Sequence, residues 1–132
     1  MYKVIKKVAP VDDFVRLRKI AKLTPRPKPA VERALPNSLF GVHIIINEQV
    51  VGMGRVVGDG AINFEVVDVA VDPEHQGKGL GRVIMESIME YFDENAPKGA
   101  YISLIADVPE LYEKFGFKPC RPRSEGMYIL RE

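Results

Sequence analysis

Hydrophobic residues follow two different periods along the chain. Between residues 38 and 71 they fall in short dense runs, rich in valine and isoleucine and separated by turn residues. From Leu80 to Tyr91 they recur every three or four positions. The first pattern fits strands and the second a helix. "SLFGVHIII" (38–46) and "VVGMGRVVG" (50–58) predict a hairpin across "NEQ". "GDG" (58–60) marks the next turn, and "AINFEVVDVAV" (61–71) predicts a long third strand. "GLGRVIMESIMEYFDEN" (79–95) predicts an amphipathic helix with Leu80, Val83, Ile84, Ile88 and Tyr91 on one stripe.

The flanks are less regular. "YKVIKKV" (2–8) reads as a first strand. Asp12 or Asp13 is suited to cap a helix carrying Phe14, Leu17 and Ala21. The prolines of "TPRPKP" (24–29) end it, and a shorter helix fits 29–35. "AYISLIA" (100–106) predicts a strand, and "VPELYEKF" (108–115) a short helix with Pro109 in its first turn. "GF" follows, and the last strand is expected near "GMYILR" (126–131). The order is β-α-α-β-β-β-α-β-α-β-β. Three consecutive strands imply an antiparallel meander, and the strand–helix–strand unit implies a parallel pair. Met53, Met85, Met127 and Cys120 are expected in the core, and His43 in its strand as a packed or half-exposed residue. His75 is expected to be exposed.

Composition narrows the class. The 132 residues suit one domain, 1–132. With 19 basic and 18 acidic side chains, the net charge of +1 argues against a nucleic-acid partner. No run approaches the ~20 apolar residues of a membrane span. The N-terminus is too charged for a signal peptide, so a cytoplasmic protein is expected. The single cysteine excludes an internal disulfide and disfavours a thiolate metal site, so no metal is expected.

One stretch opposes local propensity. "VDPEHQGKGLGR" (71–82) crowds Gly77, Gly79 and Gly81 at the mouth of the predicted helix. Glycine within a helix costs about 1 kcal/mol relative to alanine. A helix N-terminus carries unpaired amides and a partial positive charge, and it binds anions. Glycines let a ligand touch the backbone there, and Lys78 and Arg82 add charge. A tight turn without a ligand is the alternative. A P-loop is excluded because Arg82-Val83 follows Gly81, and in a dinucleotide fingerprint the third glycine would fall one residue later.

The longer string "VDVAVDPEHQGKGLG" resembles the acetyl-CoA-binding motif of the GNAT superfamily of N-acetyltransferases, with Gln76, Gly79 and Gly81 at the motif positions. "LYEKFGF" (111–117) resembles that family's next motif, a tyrosine-bearing helix before Gly-Phe. The element order agrees, so the resemblance covers essentially the whole chain. It implies an α+β, three-layer fold. A mixed, mostly antiparallel sheet of about six to seven strands with a splayed parallel pair would carry about four helices on its two faces. Many members place an asparagine about seven residues before the tyrosine; here Asp107 stands five before Tyr112, and no role is carried onto it.

The resemblance implies acetyl-CoA as co-substrate. Its pantetheine arm would pair with backbone at Val69, Ala70 and Val71, and its diphosphate would sit on Gln76, Gly77, Lys78, Gly79, Leu80, Gly81 and Arg82. Tyr112 would protonate the departing thiolate. An amine with a pKa near 10 must lose a proton before it attacks. Glu65 and Asp68 are the candidate bases, and a water chain is the alternative. Strict alternation puts Glu65 with Val67 and Val69, and Asp68 on the opposite face; a bulge would upset the count. Arg26, Asn37, Phe40 and Arg55 are the candidates for the acceptor site. The leading expectation is acetyl transfer to the primary amine of a small molecule. A protein lysine or N-terminus as acceptor, and a non-catalytic acyl-CoA-binding module, stand beside it. A homodimer is compatible with the resemblance.

Overall fold

The valine-rich runs form a meander. In the computed structural model, which covers residues 1–132, β2 (Phe40–Ile46) turns into β3 (Gln49–Gly58) through Asn47 and Glu48. Both turn residues have φ in the left-handed region, at 50° and 63°. A two-residue hairpin needs this sense of turn to match strand twist. The next turn is held by Asp59, whose carboxylate accepts from the amides of Ala61, Ile62 and Asn63 at 2.8, 2.9 and 3.1 Å. These bonds hold its carboxyl below the usual value. β4 (Asn63–Val71) returns antiparallel to β3. With β1 (Lys3–Ile5) and β5 (Tyr101–Ser103) the sheet order is β1-β2-β3-β4-β5. Only β4 and β5 are parallel.

Helices cover both faces. α3 (Leu80–Asn95) buries Leu80, Ile84, Met85, Ile88 and Phe92 against Val42, Ile44, Val51, Val56, Phe64 and Val66. Met85 and Phe92 complete the predicted stripe, while Val83 and Tyr91 lie at its margin. On the other face α1 (Val11–Ile20) and α2 (Lys28–Ala34) bury Phe14, Leu17 and Val31 against Val50, Met53 and Ala70. α1 begins one residue ahead of the expected caps, with Pro10 at the cap position. Asp12 and Asp13 lie in the first turn, where negative charge suits the helix dipole. They pair with Lys28 at 3.0 Å and Arg16 at 3.3 Å. α4 (Pro109–Glu113) sits at the mouth of α3.

The sheet has five strands, one or two fewer than expected. Beyond Phe117 no strand forms, and the backbone makes one hydrogen bond, Ser124 N–H to the Cys120 carbonyl at 2.9 Å. Consequently Met127 is 86% exposed and Cys120 is exposed, although both were expected inside. His43 is buried and bonds the Lys7 carbonyl through Nδ1 at 2.7 Å. His75 is half-buried rather than exposed, because Nδ1 meets the Tyr2 hydroxyl at 3.0 Å.

Gly54 on β3 lets α3 lie close to the sheet. A Cβ there would stand 2.7 Å from Ile84 Cγ2 and 3.1 Å from Ile88 Cδ1. Overpacking of this kind costs about 1–3 kcal/mol. Gly54→Ala is expected to lower Tm by several degrees in a calorimetric scan.

Candidate active site

A single irregularity in β4 shapes the cleft. Met53 faces Ala70 and Arg55 faces Val67, so Gly54 opposes both Asp68 and Val69. This is a β-bulge, and Asp68 occupies it with φ of 58°. The bulge changes which side chains face which layer. Phe64 and Val66 face α3 before it, and Val69 and Val71 face α3 after it. Glu65 and Asp68 therefore share the α1 face, and Val69 is on the other, which corrects the facing expected from strict alternation.

Two arginines secure the bulge. Arg18 Nη1 donates to Asp68 Oδ1 at 2.5 Å, and Arg55 Nε donates to Oδ2 at 2.6 Å. Arg18 also holds the Thr24 carbonyl through Nε at 2.9 Å and Nη2 at 2.6 Å, tying down the loop after α1. Arg55 Nη1 donates to Ser38 Oγ at 3.0 Å. Burial lowers the Arg18 guanidinium from its ordinary value, and Asp68 acts the other way. Both Asp68 oxygens are committed to guanidiniums, so its carboxylate anchors the bulge, and Asp68 also borders the larger of the two cavities described below.

Pairing of β4 with β5 stops at Glu65 opposite Ser103. Beyond it the strands diverge, and two cavities open into the gap. One, of about 400 Å³, runs over Val69, Ala70, Val71, Gln76, Gly77, Gly79, Leu80 and Gly81. The other, of about 540 Å³, is walled by Glu65, Val67, Arg18, Lys22, Arg26 and, on the far side, Tyr128, Ile129 and Leu130. Leu23, Val69, Asp107 and Tyr112 border both.

The first cavity ends in an anion cradle. Gly79 caps α3 without any side-chain cap, and the amides of Gly77 to Arg82 have no backbone acceptor. Gly77 and Gly79 have φ of 76° and 79°, where L residues are strained. A Cβ on either would meet no atom within 4 Å, so the space over them is open to a ligand. Gly81 serves packing instead: its Cβ would lie 3.4 Å from Leu111 Cδ2 on α4. Gln76 Nε2 holds the Val71 carbonyl at 3.1 Å, bracing the strand-to-loop corner. Lys78 and Arg82 lie beside the cradle in sequence, and Arg82 leans to Glu86 at 3.7 Å. These amides fit a diphosphate.

At the junction, burial and then the nearby Asp107 charge raise the Tyr112 hydroxyl above its ordinary value of 10.0. The group is a proton donor at neutral pH. Of the expected acceptor residues, only Arg26 borders the larger cavity. Asn37 is exposed and bonds the Arg33 carbonyl at 2.9 Å, and Phe40 stacks on Tyr91 at 5.0 Å. Arg55 belongs to the bulge. Asp107 and residues 128–130 were not expected as lining; only the fold brings them there.

The two cavities form one cleft with free helix-start amides at one end and titratable side chains at the other. Residues 40–119 match the family described as acetyltransferase (GNAT) domain. The chain belongs to the GNAT acetyltransferase family. The Staphylococcus aureus protein SA2161, described as a probable acetyltransferase of unknown function, shares the structure with a TM-score of 0.95 at 44% identity, over 99% of this chain and 100% of that one. The GNAT-family protein SP0256 of Streptococcus pneumoniae gives 0.80 at 26% identity over 100% of both. GCN5-related N-acetyltransferase 2, chloroplastic, of Arabidopsis thaliana is 35% identical over 83 residues, 61% of this chain and 31% of that relative. This chain thus spans about a third of that relative's length.

Removing the anchor tests the bulge. Asp68→Ala leaves two guanidiniums, 7% and 15% exposed, without their carboxylate. Breaking a buried pair in this way costs about 3–5 kcal/mol. Urea unfolding is expected to show that loss.

Proposed function

We propose that the chain transfers the acetyl group of acetyl-CoA to a primary amine of a small molecule, by direct attack within a ternary complex. The observation that carries this reading is the position of Tyr112 and Val69 where the anion-cradled cavity meets the acceptor cavity. Acetyl-CoA supplies an activated acyl carbon when its diphosphate lies on the Gly77–Arg82 amides.

The chain's own residues do the rest. Glu65, on the wall of the acceptor cavity, takes the amine's proton directly or through one water. The amine nitrogen bonds the acyl carbon, the carbon–sulfur bond breaks, and the leaving thiolate takes the Tyr112 hydroxyl proton. The nitrogen's second proton passes through water to the Tyr112 oxygen, and Glu65 releases the first to solvent. Lys22 and Arg26 line the same cavity as Glu65 and Asp107. This pairing of positive and negative wall groups suits an amine that also bears a carboxylate or phosphate. A protein lysine or N-terminus is the second reading. The cavity rim favours it, since Ile105 and Ile129 are 68% and 89% exposed there.

A panel of amines with and without an acidic group, read by release of free thiol from acetyl-CoA, tests the proposal. Turnover of acidic small amines is expected; turnover of peptide amines alone overturns it. Tyr112→Phe is expected to lower kcat by about 10²–10⁴-fold at unchanged acetyl-CoA affinity. Because its proton is held more tightly than in free tyrosine, wild-type kcat should not fall with rising pH on its account until above 10.0. Gly79→Val puts a branched side chain at a positive φ and into the cradle. Circular dichroism is expected to show a folded protein, and calorimetric titration an acetyl-CoA affinity lowered tenfold or more, ~1.4 kcal/mol.

A further inference from the structure

Asp107 stands apart from the other acids of the cleft. Asp68 is held between Arg18 and Arg55, and Glu65 borders the larger cavity alone. Asp107 borders both cavities, and it is the one charged residue on the wall of the smaller. Its place follows from the chain's path. β5 ends at Ser103, where β4 and β5 part, and α4 begins only at Pro109. The stretch between them carries Asp107 to the junction with Tyr112.

The fold makes no use of this charge. No ion pair includes Asp107. α4 starts at Val108 without a side-chain cap, so the carboxylate is not spent on the helix. Its field reaches the site all the same. Burial first, and then the Asp107 charge, hold the Tyr112 hydroxyl above its ordinary value. When an acyl group leaves coenzyme A, negative charge develops on the sulfur. A bare carboxylate at the same junction opposes that development, and a cation between the two removes the conflict. An aliphatic amine supplies one, since with a pKa of about 10 it arrives protonated. The positive groups Arg18, Lys22 and Arg26 border only the larger cavity. The polarity along the cleft therefore turns the amine towards Tyr112, and any acidic group of the acceptor towards the loop after α1.

We propose that Asp107 docks the ammonium of the acceptor at the point of transfer. The assignment rests on the acetyl-transfer reading and narrows its substrate to amines that arrive as cations. Asp107 holds the cation, and Glu65 takes its proton. A remaining N–H then donates to Asp107, which leaves the nitrogen lone pair free to meet the acyl carbon. The product amide is uncharged, so the hold weakens as the reaction completes.

Steady-state kinetics with alkylamines test the assignment. Asp107→Asn keeps the shape and removes the charge, and the residue is exposed, so the change spares the fold. The alkylamine KM is expected to rise about tenfold or more, the loss of one charge-assisted contact. Calorimetric titration is expected to show unchanged acetyl-CoA affinity, and Asp107→Glu to recover most of the KM. An aromatic amine, uncharged at neutral pH, is expected to react poorly with the wild type and no worse with Asp107→Asn. A merely structural role would not move the alkaline limb of kcat at saturating amine. Arg18, Lys22, Arg26, Glu65, Asp68 and Tyr128 also face the larger cavity, and the variant keeps them all. Losing the Asp107 charge removes one cause of the raised Tyr112 value, so the limb is expected at lower pH than in the wild type. A wild-type chain that acetylates no amine overturns the acetyl-transfer reading and this assignment with it. Alkylamine turnover with an unchanged KM in Asp107→Asn overturns the assignment alone. So does a wild-type preference for the aromatic amine, an equal loss of acetyl-CoA affinity, or an unmoved limb.

Discussion

The cleft depends on one carboxylate held between two guanidiniums. A buried charge without a partner costs several kcal/mol, and charge-assisted bonds offset that cost only when the geometry is good. Asp68 meets the condition with Arg18 and Arg55 at 2.5 and 2.6 Å. In return its backbone stays at a φ that non-glycine residues seldom adopt. The bulge this creates turns Val69 and Val71 towards α3 and lets β4 part from β5. Two arginines around one aspartate also leave a net positive charge, and Arg18 lines the larger cavity. A structural anchor and an electrostatic feature of the site are thus the same side chains.

The order of elements up to α4 and the glycine loop were legible because they rest on local rules. Period-two runs and an amphipathic stripe need no long-range information. The orphan amides at a helix start follow from helix geometry alone. The bulge was not legible. Asp68 reads as one more acid in a valine strand until Arg18, 50 residues away in sequence, is known to reach it. Arg55 and Phe40 were misplaced for the same reason: their partners, Asp68 and Tyr91, come from elements far along the chain. The missing strands after α4 show the converse. "GMYILR" has strand character, but character supplies no partner, and residues 126–131 make no backbone hydrogen bond.

The cleft's two arms differ in how they hold a ligand. The cradle arm relies on backbone, with amides fixed by helix geometry and glycines that keep the approach clear. Such a site is rigid and indifferent to what lies beyond the anion. The acceptor arm relies on side chains from separate places: the α1–α2 loop, β4 and the C-terminal segment. Loops tolerate change more readily than the elements they connect. On the proposed reading, selectivity between acceptors would reside in the arm that is easier to alter.

Gly81 adds a mechanical consequence. It is the point where α3, which carries the cradle, touches Leu111, the neighbour of Tyr112. A Cβ at this point already stands at the contact limit, 3.4 Å from Leu111 Cδ2. Any larger side chain would push α4 outward and carry the hydroxyl with it, while the amides of the cradle stayed in place. On the proposed reading, the spacing between the donor's anion and its sulfur would be set in part by how closely α3 and α4 pack at Gly81. A molecule that kept its grip but lost this spacing would hold its donor and not turn it over.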